Sequence, residues 1–120
     1  MKTSAFAKVF GWIFLLVGIL GFVPGITSSG HLLGIFEVNT LHNIIHIATG
    51  VFALIFANSA PKQYFKVFGI VYLIVTIVGF VQGDTVLGLI GVNLADNLLH
   101  LVISVVALAV GFKKDSSMAA

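Results

Sequence analysis

Residues 8–25, KVFGWIFLLVGILGFVPG, return as residues 66–83, KVFGIVYLIVTIVGFVQG. Further along, LGIFEVNTLHNIIH (33–46) returns as LGLIGVNLADNLLH (87–100). The chain reads as one half-length unit written twice, each copy holding two apolar segments. The first segments align at an offset of 58 (Phe10 to Phe68) and the second at 54 (Asn39 to Asn93). The first outer loop, about 24–40, is therefore four residues longer than its counterpart. Two copies are too few for a solenoid.

Composition identifies the solvent. Of 120 residues, 59% are hydrophobic and 8% charged, and the mean hydropathy is +1.17. A soluble domain of this size needs more charge to cover its surface. Long stretches nearly free of charge point to a bilayer. Apolar segments fall at about 6–24, 41–58, 64–82 and 94–112. Each is close to the ~20 residues a helix needs to cross ~30 Å of hydrocarbon. Helices are required because lipid cannot satisfy backbone N–H and C=O groups. The expected fold class is all-α membrane: a four-transmembrane-helix up-down bundle, one integral domain over 1–120. It is built from two tandem repeats, about 6–58 and 64–112. Each repeat has an even number of spans, so both insert the same way up, as parallel repeats.

The lysines set the orientation. Lys2 and Lys8 lie at the start of the first span, Lys62 and Lys66 between the second and third, and Lys113 and Lys114 after the fourth. The opposite loops carry Glu37 and Asp84 and no lysine. The positive-inside rule then makes both termini cytoplasmic in a multi-pass membrane protein. The first segment has the basic start of a signal peptide, but no A-x-A site follows it and it mirrors the third span. Six scattered lysines make no nucleic-acid surface; the implied partner is the lipid bilayer, with a homo-oligomer left open. Without cysteine there are no disulfides or thiolate metal sites.

Spans two and four carry small or polar residues at helical spacing: His42, His46, Thr49, Ala53 and Ala57, then Asp96, His100, Ser104, Ala107 and Gly111. Small residues permit close helix approach in a membrane, so these stripes are expected to face each other or the bundle core. Spans one and three, with Phe10, Trp12, Phe14, Phe22, Phe68, Tyr72 and Phe80, read as more lipid-facing. Gly21-x-x-x-Gly25 and Gly79-x-x-x-Gly83 suit either helix packing or a C-terminal turn.

Asn39, His42, Asn43 and His46 fall at i, i+3, i+4 and i+7, one face of a helix, and Asn93, Asp96, Asn97 and His100 repeat the pattern. Asn39 and Asn93 suit N-caps, with His42 and Asp96 at the third helical position. Asn43 and Asn97 can hydrogen-bond neighbouring helices. His46 and His100 lie about 10 Å inside the helix, where ionisable groups turn to the bundle interior and find partners. The leading expectation is a structural or interaction role, with no cofactor and with the Asn/His/Asp cluster holding the bundle. Three alternatives stand beside it. A metal site would use His42, His46, Asp96 and His100, a set suited to zinc or iron. A haem would take one axial imidazole each from His46 and His100. An ion or proton path would run through His46, His100 and Asp96. No nucleophile–base pair, phosphate loop or paired-carboxylate site is visible, so no enzyme is expected.

The N-x-x-[His/Asp]-N-x-x-His signature resembles a family of small four-helix bacterial membrane proteins catalogued as a domain of unknown function. Its mark is N-x-x-H-N-x-x-H-x-x-x-G opening a transmembrane helix. Asn39, His42, Asn43, His46 and Gly50 match it; in the second copy Asp96 replaces the first histidine and Ser104 the glycine. The resemblance runs from about Lys8 to Phe112. It implies a multi-pass plasma-membrane protein of unassigned activity and supplies no catalytic residues.

Overall fold

The computed structural model describes residues 2–114; the ends of the expected 1–120 domain, Met1 and 115–120, lie outside the described residues. Four helices dominate: α1 (Thr3–Leu20), α2 (Thr40–Phe56), α3 (Pro61–Gln82) and α4 (Leu94–Phe112). Helices α1, α3 and α4 are long and apolar enough to cross a membrane, while α2, at 17 residues, is shorter. Pro61 occupies the first turn of α3, where its missing N–H costs nothing. Asn39 Oδ1 accepts from His42 N–H at 2.8 Å and Asn93 Oδ1 from Asp96 N–H at 2.9 Å, so both asparagines are N-caps.

Helix α1 ends at Leu20, and the two glycines that follow divide the roles left open above. Gly21 is right-handed (φ −63°), and a β-carbon there would collide with the Asn43 side-chain oxygen; Gly79 makes the same room for Asn97. Gly25 (φ 91°) and Gly83 (φ 89°) have open space around them and take left-handed conformations that only glycine adopts readily. The first glycine of each motif is a packing position and the second a turn.

The connections after α1 and α3 are not plain loops. β1 (Thr27–Ser28), β2 (His31–Leu32) and β3 (Phe36–Glu37) form an antiparallel meander; β4 (Thr85–Val86) and β5 (Ile90–Gly91) form a hairpin. In both, a Leu-Gly pair with positive φ turns the chain: Leu33 at 53° and Gly34 at 70°, Leu87 at 57° and Gly88 at 70°. Two-residue strands lie below the length that apolar alternation can reveal.

Helix α1 packs on α2 and α3 on α4, while contact between these two pairs is sparse. Glycine explains the closeness within a pair. A β-carbon on Gly50 would lie 2.6 Å from the Gly11 carbonyl oxygen and 2.7 Å from the Leu15 nitrogen. One on Gly111 would lie 2.7 Å from the Lys66 nitrogen. Bulky rings fill the wider gap between the pairs, which corrects the lipid-facing reading of spans one and three. Phe14 and Tyr72 are buried and Phe10 and Phe68 half-buried, while Trp12, Phe22 and Phe80 face outward. At the lysine end the core is apolar, with Ala7, Ala53, Ala57, Tyr64, Phe65, Ala107 and Val110 buried together.

At the opposite end the pairs are cross-braced. Asn39 donates through Nδ2 to the Leu89 carbonyl at 3.1 Å, and Asn93 donates through Nδ2 to the Ile35 carbonyl at 2.9 Å. Each cap residue thus grips the other half's turn. Strand β3 likewise packs on α4 and β5 on α2. Buried Leu32, Val38, Val86 and Val92 complete an apolar cap layer. Changing both Asn39 and Asn93 to alanine removes two caps, each worth ~1 kcal/mol, and two bonds of similar size. The expected loss is about 2–4 kcal/mol, read as a lower urea midpoint for helicity in detergent.

Candidate functional site

Beneath the cap layer, the polar faces of α2 and α4 meet. His42, His46 and His100 are all buried, and each offers a ring nitrogen within 4.8 Å of the others. Their ring centroids are 4.4 Å apart for His42–His46, 5.5 Å for His42–His100 and 6.0 Å for His46–His100. His42 and His46 are one helical turn apart on α2, which stacks them on one face. The gap between helix pairs brings His100 to them from α4.

Hydrogen bonding sorts the three rings. His42 donates Nδ1–H to the Gly91 carbonyl of β5 at 2.8 Å. That bond fixes the tautomer and leaves the Nε2 lone pair directed elsewhere; Nε2 is buried without a partner. Both nitrogens of His46 and Nδ1 of His100 are also buried without partners. Buried polar atoms are nearly always hydrogen-bonded, and each orphan costs ~1–3 kcal/mol. Four such nitrogens gather among the three rings.

The other sequence candidates do different work. Asp96 accepts from the Asn93 N–H at 2.9 Å, closing a capping box at the start of α4, and is not among the converging groups. Asn39 and Asn93 are caps and braces. Asn43 and Asn97 are buried against Gly21 and Gly79, each with an unpartnered Oδ1.

Two tyrosines also belong here: Tyr72, read from the sequence as lipid-facing, and Tyr64, which that reading left out. Thr49 donates through Oγ1 to the Ile45 carbonyl at 2.8 Å, so at 2.9 Å the Tyr72 hydroxyl must be the donor to Thr49 Oγ1. Tyr64 donates to the Thr49 carbonyl at 2.8 Å. Phe14 lies edge-on to His46 at 5.4 Å and Tyr72 edge-on to His100 at 5.6 Å. The signal was present in the sequence: at the offset of 58, Tyr64 and Tyr72 align with Phe6 and Phe14, two hydroxyls in an otherwise apolar match.

Among the described residues, two lateral crevices reach the histidines. One, of about 150 Å³, lies between α2 and α3 and touches all three rings, Thr49 and Tyr72. The other, of about 230 Å³, lies between α1 and α4 and touches His46 alone among polar residues.

These features define a four-helix protein with membrane-length apolar helices and a buried histidine triad. The chain belongs to the family described as Domain of unknown function (DUF4383), whose profile matches residues 4–113. No curated protein and no solved structure matches it.

Proposed function

We propose that this protein is a bacterial inner-membrane metal-binding bundle that holds a first-row transition ion, such as zinc, between His42, His46 and His100. The observation that carries this reading is the convergence of three buried imidazoles with four unpartnered nitrogens. Zn–N bonds are about 2.0–2.1 Å. Nitrogens within 4.8 Å of one another therefore need only small side-chain shifts to share an ion. The Gly91 carbonyl on His42 Nδ1–H is the kind of outer partner that metal-bound histidines use. Three histidines leave a fourth position open, as in zinc sites that bind water or an exogenous ligand.

The competing readings find less support. As structural glue, the histidines would be bonded to each other or to Asn43 and Asn97, and none of those bonds is made among the described residues. A haem between His46 and His100 competes with the His42 ring, 4.4 Å from one and 5.5 Å from the other. A proton path extends through Tyr72, Thr49 and Tyr64 but meets the apolar core around Ala57, Phe65 and Val110. Full-length protein purified in detergent should retain about one zinc or cobalt per chain after desalting, by elemental analysis. Retention of neither ion would end the reading.

In this proposal the two tandem repeats cross the membrane in parallel, with both termini cytoplasmic. A belt of outward apolar side chains supports insertion, including Trp12 (61% exposed), Ile74 and Val105. The lysines support the orientation by gathering at one end: Lys62 donates to the Lys113 carbonyl, and Lys66 lies over the Phe112 ring at 5.1 Å. Alkaline phosphatase fused after Gly30 should be active in cells and fused after Asn58 inactive; the reverse pattern would invert the topology.

A further inference from the structure

The crevice between α1 and α4 is walled by Phe10, Ile13, Phe14, Leu99, Val102 and Val106, and His46 is the one polar residue on its surface. His46 is 5% exposed, and both of its nitrogens lack a partner. The way in is from the side. The cap layer of Leu32, Val38, Val86 and Val92 closes one end and the apolar core closes the other. The rim residues Ile13, Val102 and Val106 are exposed on the helix surfaces that carry the apolar belt.

We infer that this crevice binds a lipid-soluble amphiphile that presents a neutral carbonyl oxygen to His46, the head-group chemistry of a quinone. A histidine that gives one nitrogen to a metal ordinarily donates its other N–H to an oxygen acceptor. His42 has such an acceptor in the chain, the Gly91 carbonyl, and His46 has none. Apart from His46 the walls of this crevice are apolar, so an oxygen that reaches the ring through it arrives on a molecule whose remainder is apolar. A cavity of ~150 Å³ already holds benzene. The 230 Å³ here takes one small ring or the end of a chain. Depth selects the head group. His46 sits six residues into α2, about 9 Å along the helix, where an ionised carboxylate is costly and a neutral carbonyl is not. The inference deepens the proposed metal site but does not need the ion. Without metal, neutral His46 still carries one N–H and one lone pair with no partner.

The test uses full-length protein in phospholipid nanodiscs with a decyl-substituted benzoquinone as probe. It is run once with chelator and once with zinc, and bound probe is measured by dialysis against empty nanodiscs. Saturable binding of one probe per chain is expected in both conditions, with a shift in the ¹⁵N resonance of labelled His46. Val102→Trp fills the crevice and should weaken binding at least tenfold. Val102→Phe should do so less, and Ile74→Trp, on the outward apolar belt away from both crevices, should leave it unchanged. Circular dichroism of each variant separates loss of the crevice from loss of the fold. Partitioning that never saturates, equal displacement by palmitate, equal binding by a folded Val102→Trp protein, or a His46 signal coupled only to water would each overturn the inference. Quinone binding without zinc binding would remove the metal reading alone. Zinc binding without quinone binding would remove this one alone.

Discussion

Replacing His46 with alanine should abolish stoichiometric zinc retention, and replacing His42 or His100 should do the same. Mutating partners that merely orient a ligand costs 10–100-fold in metal affinity, so loss of one of three direct ligands should cost more than about 100-fold. Asp96 provides the contrast. As part of a His₃Asp set, its loss would equal that of a histidine. As the capping-box residue it is here, Asp96→Ala should leave zinc affinity within about twofold. It should instead lower stability by ~0.5–2 kcal/mol. Bound metal should also protect the fold: at 100 times Kd the gain is ~2.7 kcal/mol, absent in His46→Ala. Competition titration against a zinc dye and thermal unfolding with and without zinc check both halves. Equal zinc affinity in all four variants and the parent would remove the histidines from any metal site.

The second large effect is steric. Gly50→Val should separate α1 from α2 or prevent their association, because a β-carbon at Gly50 meets backbone atoms of Gly11 and Leu15 that cannot rotate away. Overpacking a tight interior costs ~1–3 kcal/mol, and backbone-against-backbone contact belongs at or above the upper end. Val67→Ala, at an exposed position, is the control and should fall within ~0.5 kcal/mol of the parent. Urea titration of helicity in detergent measures both. Separating the pair would also move His46 away from His100, so zinc retention should fall along with stability. A Gly50→Val protein as stable as its parent would mean that the close approach is not required.

Much of the fold was legible because uncharged apolar stretches of this length favour helices. Apolar length marked four helices, and the asparagines at 39 and 93 marked two helix starts within a residue. The buried polar face of α2 and α4 was legible from i, i+3, i+4, i+7 spacing, including all three histidines that converge. Three things were not. The short strands of the cap layer have no periodicity to read, and their turns rest on leucines in left-handed conformations that sequence preference disfavours. The inward rings Phe14 and Tyr72 carry no label that separates them from the outward Trp12 and Phe80; helix rotation and the gap between pairs decide which side they take. The separation of Asp96 from the histidines was hidden because a cap and a metal ligand ask for the same residue at the same place.

The reciprocal grip of Asn39 on Leu89 and of Asn93 on Ile35 means that neither half closes its own end. A polypeptide of one half's length could make the same two bonds only by pairing with an identical copy, and every change would then appear on both sides at once. In a single chain the two sides need not match. One can keep a histidine where the other keeps an aspartate, and one a phenylalanine where the other has a tyrosine. The lopsided triad, with two imidazoles from one side and one from the other, is a geometry that no strictly symmetric pair could offer.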